Sequence, residues 1–216
     1  MIEAKHNKFI RKLFNLYINN KLKSNFSHFY STNRLPSFDV QKPILVLQNH
    51  FSWWDGFFSD LVYRKYFYNY KIYMMILEST LNKYKFFKYL GAYSINKFKP
   101  RDTLATLHYT KQLLTQKNTF LVIFPTGELL PYSLTKIKFK TGIEKFIISK
   151  EYDFFILPLS FKIQYENASK PNVYFRFGEV LRAQNTNINE VFENFYDNLN
   201  LLELEALSYK YTDIIF

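Results

Sequence analysis

Apolar runs alternate with segments of helical character along this chain. Three of the runs, "PILVLQNH" (43–50), "TFLVIFPTGE" (119–128) and "DFFILPLSFKIQY" (153–165), are apolar at nearly every position. Strands that are buried on both faces of a parallel sheet have this pattern, because helices cover both sides of the sheet. The alternation predicts an α/β fold: a single domain with a mostly parallel central sheet flanked by helices.

The other elements follow from turn signals and periodicity. A chain of 216 residues suits one domain. The run at 172–181 follows the strand at 153–165 after a short polar turn, so these two strands are predicted to pair antiparallel. The remaining predicted strands are 70–77 and 91–97, and the predicted helices are 52–68, 82–90, 101–116, 141–152 and 187–209. The apolar stripe of the helix at 101–116 is predicted to comprise Thr103, Leu104, Leu107, Tyr109, Leu113 and Leu114.

The first 35 residues form a basic amphipathic segment, and residues 36–216 are predicted to form the domain itself. Apolar residues recur at helical spacing in "KFIRKLFNLYINNKLK", with lysines and an arginine between them. Two interpretations stay open: a surface helix packed on the domain, or a helix lying in the interface of an anionic membrane. The sequence lacks the roughly 18 consecutive apolar residues of a membrane span. It also lacks the apolar core of a secretory signal near its start. We therefore expect a peripheral or monotopic protein at the cytoplasmic face of the cell membrane.

Charge and composition limit the classes of molecule that this protein is expected to bind. The formal net charge of +11 favours anionic partners, either nucleic acid, lipid head groups or phosphorylated ligands. The aromatic residues lie mostly inside the apolar runs, where they are expected to be buried, so nucleic acid is disfavoured. The absence of cysteine excludes disulfides and thiolate metal sites. The four histidines lack metal-ligand spacing, so neither a metal nor a cofactor is expected.

The stretch "NHFSWWDGFF" (49–58) carries the strongest candidate for chemistry. His50 ends the first apolar run, and Asp55 follows five residues later. Ser52 is predicted to cap a helix that starts at Trp53, which places Asp55 at the third helical position. Asp55 is then either part of a cap or a fixed carboxylate that orients His50 as a base. These roles are compatible, and the residues alone leave the choice open.

Four motifs occur in an order that resembles the glycerolipid and lysophospholipid acyltransferase family. They are the HX4D pair of His50 and Asp55, then "GAYSINK" (91–97), "FPTGE" (124–128) and "ILPLS" (156–160). A basic residue and a glycine in "FKTG" (139–142) also match the family between the third and fourth motifs. The resemblance covers residues 40–165, and on these motifs the chain is identified as a member of the family.

The resemblance implies transfer of a fatty acyl group to a lipid hydroxyl, as in phospholipid biosynthesis. The donor would be an acyl thioester, acyl-CoA or acyl-ACP, acting as a co-substrate with no cofactor. His50 would be the general base and Asp55 its orienter, and the acceptor would attack the thioester directly. The partners implied are the donor, a lipid acceptor and an anionic membrane surface. The substrate-binding candidates are Lys97, Arg101, Thr126, Gly127, Glu128 and Lys140, with Lys99, Lys136 and Lys138 nearby.

Two departures from the family pattern leave the acceptor open. Leu129 stands where phosphate-accepting members have an arginine, and Lys97 replaces an arginine of the second motif. Leucine cannot hold a phosphate, and lysine lacks the bidentate fork of arginine. The acceptor is therefore either a lipid phosphate held by lysines or a neutral hydroxyl, as on a glycolipid. An acyl-thioester hydrolase and a non-catalytic lipid-binding protein are the alternative functions.

Overall fold

Nine strands form one sheet in the residues that the structure describes, 1–39, 41–132, 138–148 and 151–216 of a computed structural model. The order across the sheet is β4-β3-β5-β2-β6-β7-β1-β9, and β8 pairs with β6 outside this path. The strands are β1 (Phe29–Ser31), β2 (Ile44–Gln48), β3 (Lys71–Leu77), β4 (Ala92–Ile95), β5 (Thr119–Ile123), β6 (Phe155–Gln164), β7 (Asn172–Phe177), β8 (Leu181–Arg182) and β9 (Asp213–Ile214).

Strand directions agree with the predicted α/β class. The five strands from β4 to β6 pair in parallel, with β2 between β5 and β6 at the centre. The pair of β6 and β7 is antiparallel, which confirms the predicted hairpin. Strand β1 was not predicted; it pairs parallel to β7 and antiparallel to β9. Residues 1–35 thus contribute a strand to the sheet.

Six helices connect or cover the strands in the described residues. They are α1 (Lys8–Asn25), α2 (Asp55–Tyr66), α3 (Glu78–Lys83), α4 (Pro100–Leu113), α5 (Glu144–Ile147) and α6 (Ile188–Leu207). The predicted helix at 82–90 is divided in two: α3 starts earlier and ends at Lys83, and a 3-10 helix (Lys85–Tyr89) follows it. The predicted helix at 141–152 shrinks to α5, and residues 149–150 lie outside the described residues.

The central strands are apolar throughout because each face of the sheet buries its own core. Ile44 and Val46 of β2 lie in a cluster with α1 and α2. Leu45 and Leu47 point to the other face, where they join the cluster that contains residues of α4, α5 and α6. Successive side chains of a strand alternate between faces, so a strand covered on both sides needs an unbroken apolar run.

Helix α1 packs on the domain through one face. Phe14, Ile18 and Leu22 are buried in the same cluster as α2 and the sheet. Arg11 also pairs with Asp60 of α2, which Arg64 contacts from the other side with Nε 3.0 Å from a carboxylate oxygen. The opposite face of α1 is exposed. Across the described ranges, each helix is too short or too polar to cross a membrane.

Helix α4 buries most of the predicted stripe: Leu113 and Leu114 lie in the core, and Leu107 and Tyr109 pack against it. Leu104 is exposed, whereas Thr106 and Thr110 are buried. The Thr106 hydroxyl donates to the Ser94 carbonyl at 2.9 Å, and Thr110 bonds to the hydroxyl of Tyr93. Hydrogen-bonded threonine hydroxyls are buried at low cost, so hydrophobicity alone missed these two residues of the buried face.

Candidate active site

Three motif residues meet at the carboxyl ends of the parallel strands. His50 follows β2, Lys97 follows β4, and Gly127 follows β5. The Lys97 ammonium donates to the Gly127 carbonyl. The imidazole of His50 stacks on Phe124, which also follows β5, with ring centroids 4.2 Å apart. Ligands of α/β sheets collect at this edge, so the convergence marks the candidate site.

His50 and Asp55 form a directly bonded pair. The Nδ1 atom of His50 lies 2.7 Å from Oδ2 of Asp55. Asp55 is fully buried, whereas the side chain of His50 keeps 25% of its surface exposed. An ionised carboxylate only accepts hydrogen bonds, so Nδ1 carries the proton and Nε2 keeps its lone pair. This geometry suits a base with its orienter.

Asp55 also holds the turn before α2. Its Oδ2 accepts hydrogen bonds from the amides of Phe51 at 2.8 Å and Ser52 at 2.9 Å. Ser52 in return accepts from the amide of Trp54 at 3.1 Å. The predicted bonds between Ser52 and its neighbours therefore exist in the turn before α2, but the prediction of Ser52 as the helix cap is wrong. The helix starts at Asp55 and not at Trp53, and its N-cap is Trp54, which makes no side-chain capping bond. One carboxylate oxygen serves both roles, since it fixes the turn and binds the imidazole.

A buried amide ties the first turn of α2 to β2. Gln48 is the last residue of β2 and is fully buried. Its Nε2 donates to the main-chain carbonyl of Asp55 at 3.0 Å, and its Oε1 accepts from the Ser59 hydroxyl. Asn49 exchanges two 2.9 Å hydrogen bonds with the main chain of Phe161 on β6. The strand end before His50 is thereby fixed on two sides.

Burial changes the titration of Asp55. Removal from water raises the pKa of its carboxyl, and this outweighs the lowering by the hydrogen bonds from His50, Ser52 and Phe51. The other oxygen, Oδ1, is buried and has no hydrogen-bond partner among the described residues. Desolvation is the largest effect on this carboxyl, although the start of a helix favours a negative charge.

His50 lies in the wall of a cavity of about 600 Å³. The lining is mainly apolar and comes from α1, α2, β3 and the 3-10 helix, including Phe14, Phe57, Ile72, Met74, Phe87 and Leu90. Its volume lies within the roughly 300–1,000 Å³ of small-molecule sites. The cavity thus has room for an apolar chain that ends beside an imidazole.

The predicted substrate-binding residues fall into two groups. Lys97, Gly127, Glu128 and Lys140 line the cavity. Thr126 is buried instead, and its hydroxyl donates to the Glu128 carbonyl at 2.9 Å, so it shapes the turn. Arg101 is exposed in the first turn of α4, outside the residues that line the cavity. Lys136 lies outside the described residues. The structure therefore brings four of the six predicted residues to the cavity.

Comparison with known proteins identifies the family. The sequence profile of the Acyltransferase family matches residues 23–162, which include both members of the His50–Asp55 pair. The chain belongs to the Acyltransferase family. The acyltransferase resembles the crystal structure of the 1-acyl-sn-glycerophosphate (LPA) acyltransferase PlsC from Thermotoga maritima, at 14% sequence identity and a TM-score of 0.52. The similarity covers 86% of this chain and 74% of the PlsC chain. Curated proteins gave no match.

Sequence reasoning missed the residues that support the pair. Gln48 and Asn49 act through hydrogen bonds to the main chain of other segments, Ser59 acts through a hydrogen bond to the side chain of Gln48, and Phe124 acts through ring stacking. A glutamine and an asparagine at the end of an otherwise apolar strand were the available signal, because buried amides need partners.

Within the described ranges, no three His, Cys, Asp or Glu side chains of the acyltransferase cluster as metal ligands do.

Proposed function

We propose that this acyltransferase moves a fatty acyl group from an acyl thioester, on coenzyme A or acyl carrier protein, to a lipid hydroxyl at a membrane surface. The supporting observation is the position of His50, held by a buried carboxylate in the wall of a mainly apolar cavity. A fatty chain requires an apolar wall, and a hydroxyl nucleophile requires a base beside it.

His50 acts as the general base of this reaction. Its Nε2 takes the proton of the acceptor hydroxyl as the oxygen attacks the thioester carbonyl. The buried carboxylate of Asp55 stabilises the imidazolium that forms. When the tetrahedral intermediate collapses, the carbon–sulfur bond breaks and the imidazolium returns the proton to the thiolate. General-base help of this kind is typically worth about 10²–10⁴-fold in rate.

The developing oxyanion needs donors near Gly127. The amide of Gly127 itself is occupied, because it donates to the Phe124 carbonyl at 2.9 Å. The next two amides, of Glu128 and Leu129, have no hydrogen-bond partner within the described residues. These two amides are the candidate donors. One oxyanion donor is typically worth about 3 kcal/mol.

The exposed face of α1 is the proposed membrane contact. Phe9, Leu13, Leu16 and Tyr17 are exposed on the helix surface opposite its buried residues. Exposed lysines flank them at positions 8, 12 and 21. Apolar side chains with neighbouring cations suit the interface of an anionic bilayer. The two interpretations of this helix are therefore compatible, because different faces serve packing and membrane binding.

Thiol release with a panel of acceptors tests this function. The purified protein is incubated with acyl-CoA or acyl-ACP and with lysophosphatidic acid, a neutral lysolipid or a glycolipid, and products are identified by mass spectrometry. Transfer predicts thiol release that requires an acceptor and yields its acylated form. Release that is equal without any acceptor identifies a thioester hydrolase. The absence of release with every donor contradicts the proposed reaction.

A further inference from the structure

We propose that the turn after β4 binds the adenosine phosphate part of coenzyme A, so that acyl-CoA is the donor of the reaction. This inference rests on the proposed function and names its co-substrate. Its starting point is Phe98, whose side chain is 95% exposed although it lies between two lysines beside the cavity. A phenylalanine so exposed leaves about 1.5–3 kcal/mol of potential burial unused, which a planar ligand can recover.

Hydrogen bonds within the turn and to α4 set the backbone conformation in which the Phe98 ring is exposed. The amide of Phe98 donates to the side-chain oxygen of Asn96 at 3.0 Å. The main-chain carbonyl of Asn96 accepts from the Thr103 hydroxyl at 2.7 Å, which ties the turn to α4. The local sequence therefore fixes the backbone of the turn in a conformation that leaves the Phe98 ring in solvent. A flat apolar surface of this kind suits stacking by a nucleobase.

Cations surround the Phe98 ring without carboxylate partners. Lys97, Lys99 and Arg101 are exposed on the turn and the start of α4, and Lys138 and Lys140 are exposed on a neighbouring segment. Among the described residues none of these five forms an ion pair, whereas four of the arginines elsewhere do. Unpaired lysines and arginines beside an aromatic ring match the phosphates and base of a nucleotide.

The location agrees with a donor that reaches into the cavity. Lys97 and Lys140 line the cavity, and Lys97 donates to the carbonyl of Gly127. A donor with its acyl chain inside and its thioester at His50 must place its polar end at the mouth. The lysine side of the mouth fits that end, while Trp53 and Leu77 give an apolar side for the lipid acceptor. A single ring among cations fits one base better than a carrier-protein helix or a bilayer.

Calorimetric binding of free coenzyme A tests the site without any turnover. Phe98→Ala is expected to weaken binding about 5- to 150-fold, the range that stacking on one base provides. Tyr165→Ala is the matched control, since Tyr165 is also a largely exposed aromatic but lies at the far end of β6. Adenosine 3′,5′-bisphosphate should compete in the wild type. Equal affinity of both variants and the wild type overturns the proposal.

Kinetics with three donors separate the ligands. Phe98→Ala should raise KM for acyl-CoA and leave acyl-pantetheine, which lacks the nucleotide, unaffected. If Phe98→Ala instead lowers activity only with acyl-ACP, the surface binds an acidic carrier protein and the proposal is overturned. If the substitution weakens only binding to vesicles, the proposal is overturned as well. If no donor supports transfer while coenzyme A binds in a Phe98-dependent manner, the proposed reaction fails and the nucleotide site stands.

Discussion

We predict that a side chain at position 56 limits how much of the cavity an acyl chain can occupy. Gly56 lies in the first turn of α2 and lines the cavity, where an added Cβ would lie 3.2 Å from the sulfur of Met74. Gly56→Leu therefore projects a four-carbon side chain into the cavity. Leucine also favours a helix over glycine by about 0.8 kcal/mol, so α2 is expected to form in the Gly56→Leu variant.

The shift in chain length follows from the burial of methylene groups. Each CH₂ that no longer fits costs about 0.8 kcal/mol, so excluding two of them weakens the donor complex by about 1.6 kcal/mol, or roughly 15-fold. We expect Gly56→Leu to prefer donors about two to four carbons shorter than the wild type does. The assay is kcat/KM across a series of saturated acyl-CoA donors.

A matched control makes this result decisive. Ala105→Leu places a leucine at an exposed position of α4 and should leave the preference for donor chain length unchanged. If Gly56→Leu lowers activity equally for all chain lengths, or keeps the wild-type optimum, the cavity does not hold the acyl chain. A leucine that shortens the preferred donor supports the placement of the chain between α2 and β3.

The other predictions concern Asp55 and α1. Asp55→Asn keeps an acceptor for His50 but removes the buried charge, so transfer should fall about 10²–10⁴-fold while the free energy of unfolding rises. Because burial raises the pKa of Asp55, this stability gain should be absent below the ordinary carboxyl pKa of about 3.9 and grow as pH increases, as urea unfolding would measure; a gain independent of pH contradicts it. Replacing Phe9, Leu13 and Leu16 by serine should weaken binding to anionic vesicles in a flotation assay without lowering thermal stability, since these side chains are exposed; unchanged vesicle binding would leave α1 a purely structural helix.

The central strands were predictable because their environment is uniform. A strand such as β2, covered by helices on both faces, must be apolar throughout, and that pattern appears directly in the sequence. The edges of the sheet were harder. Strand β1 has three residues, and β9 has two, so neither is long enough to show a period. Their pairing depends on contacts between distant parts of the chain, which local patterns do not contain.

In the candidate site, too, local features could be predicted from the sequence, and features that depend on distant contacts could not. The local sequence predicted that Asp55 bonds back to the turn at Ser52, and the structure contains that bond, but the helix starts two residues later and Ser52 is not its N-cap. The role of Gln48 depends on the amide meeting the carbonyl of Asp55 and the hydroxyl of Ser59 across a turn. The titration of Asp55 was also beyond sequence reasoning, because it depends on how fully the folded chain excludes water.

The central claim is that the imidazole of His50 removes the proton of the acceptor. Its most direct test is acceptor-dependent thiol release by His50→Ala, with His108→Ala, an exposed histidine on α4, as the control. We predict a loss of about 10²–10⁴-fold in kcat for His50→Ala, with circular dichroism unchanged, and wild-type kinetics for His108→Ala. A folded His50→Ala variant that retains acceptor-dependent release near the wild-type rate would contradict the account.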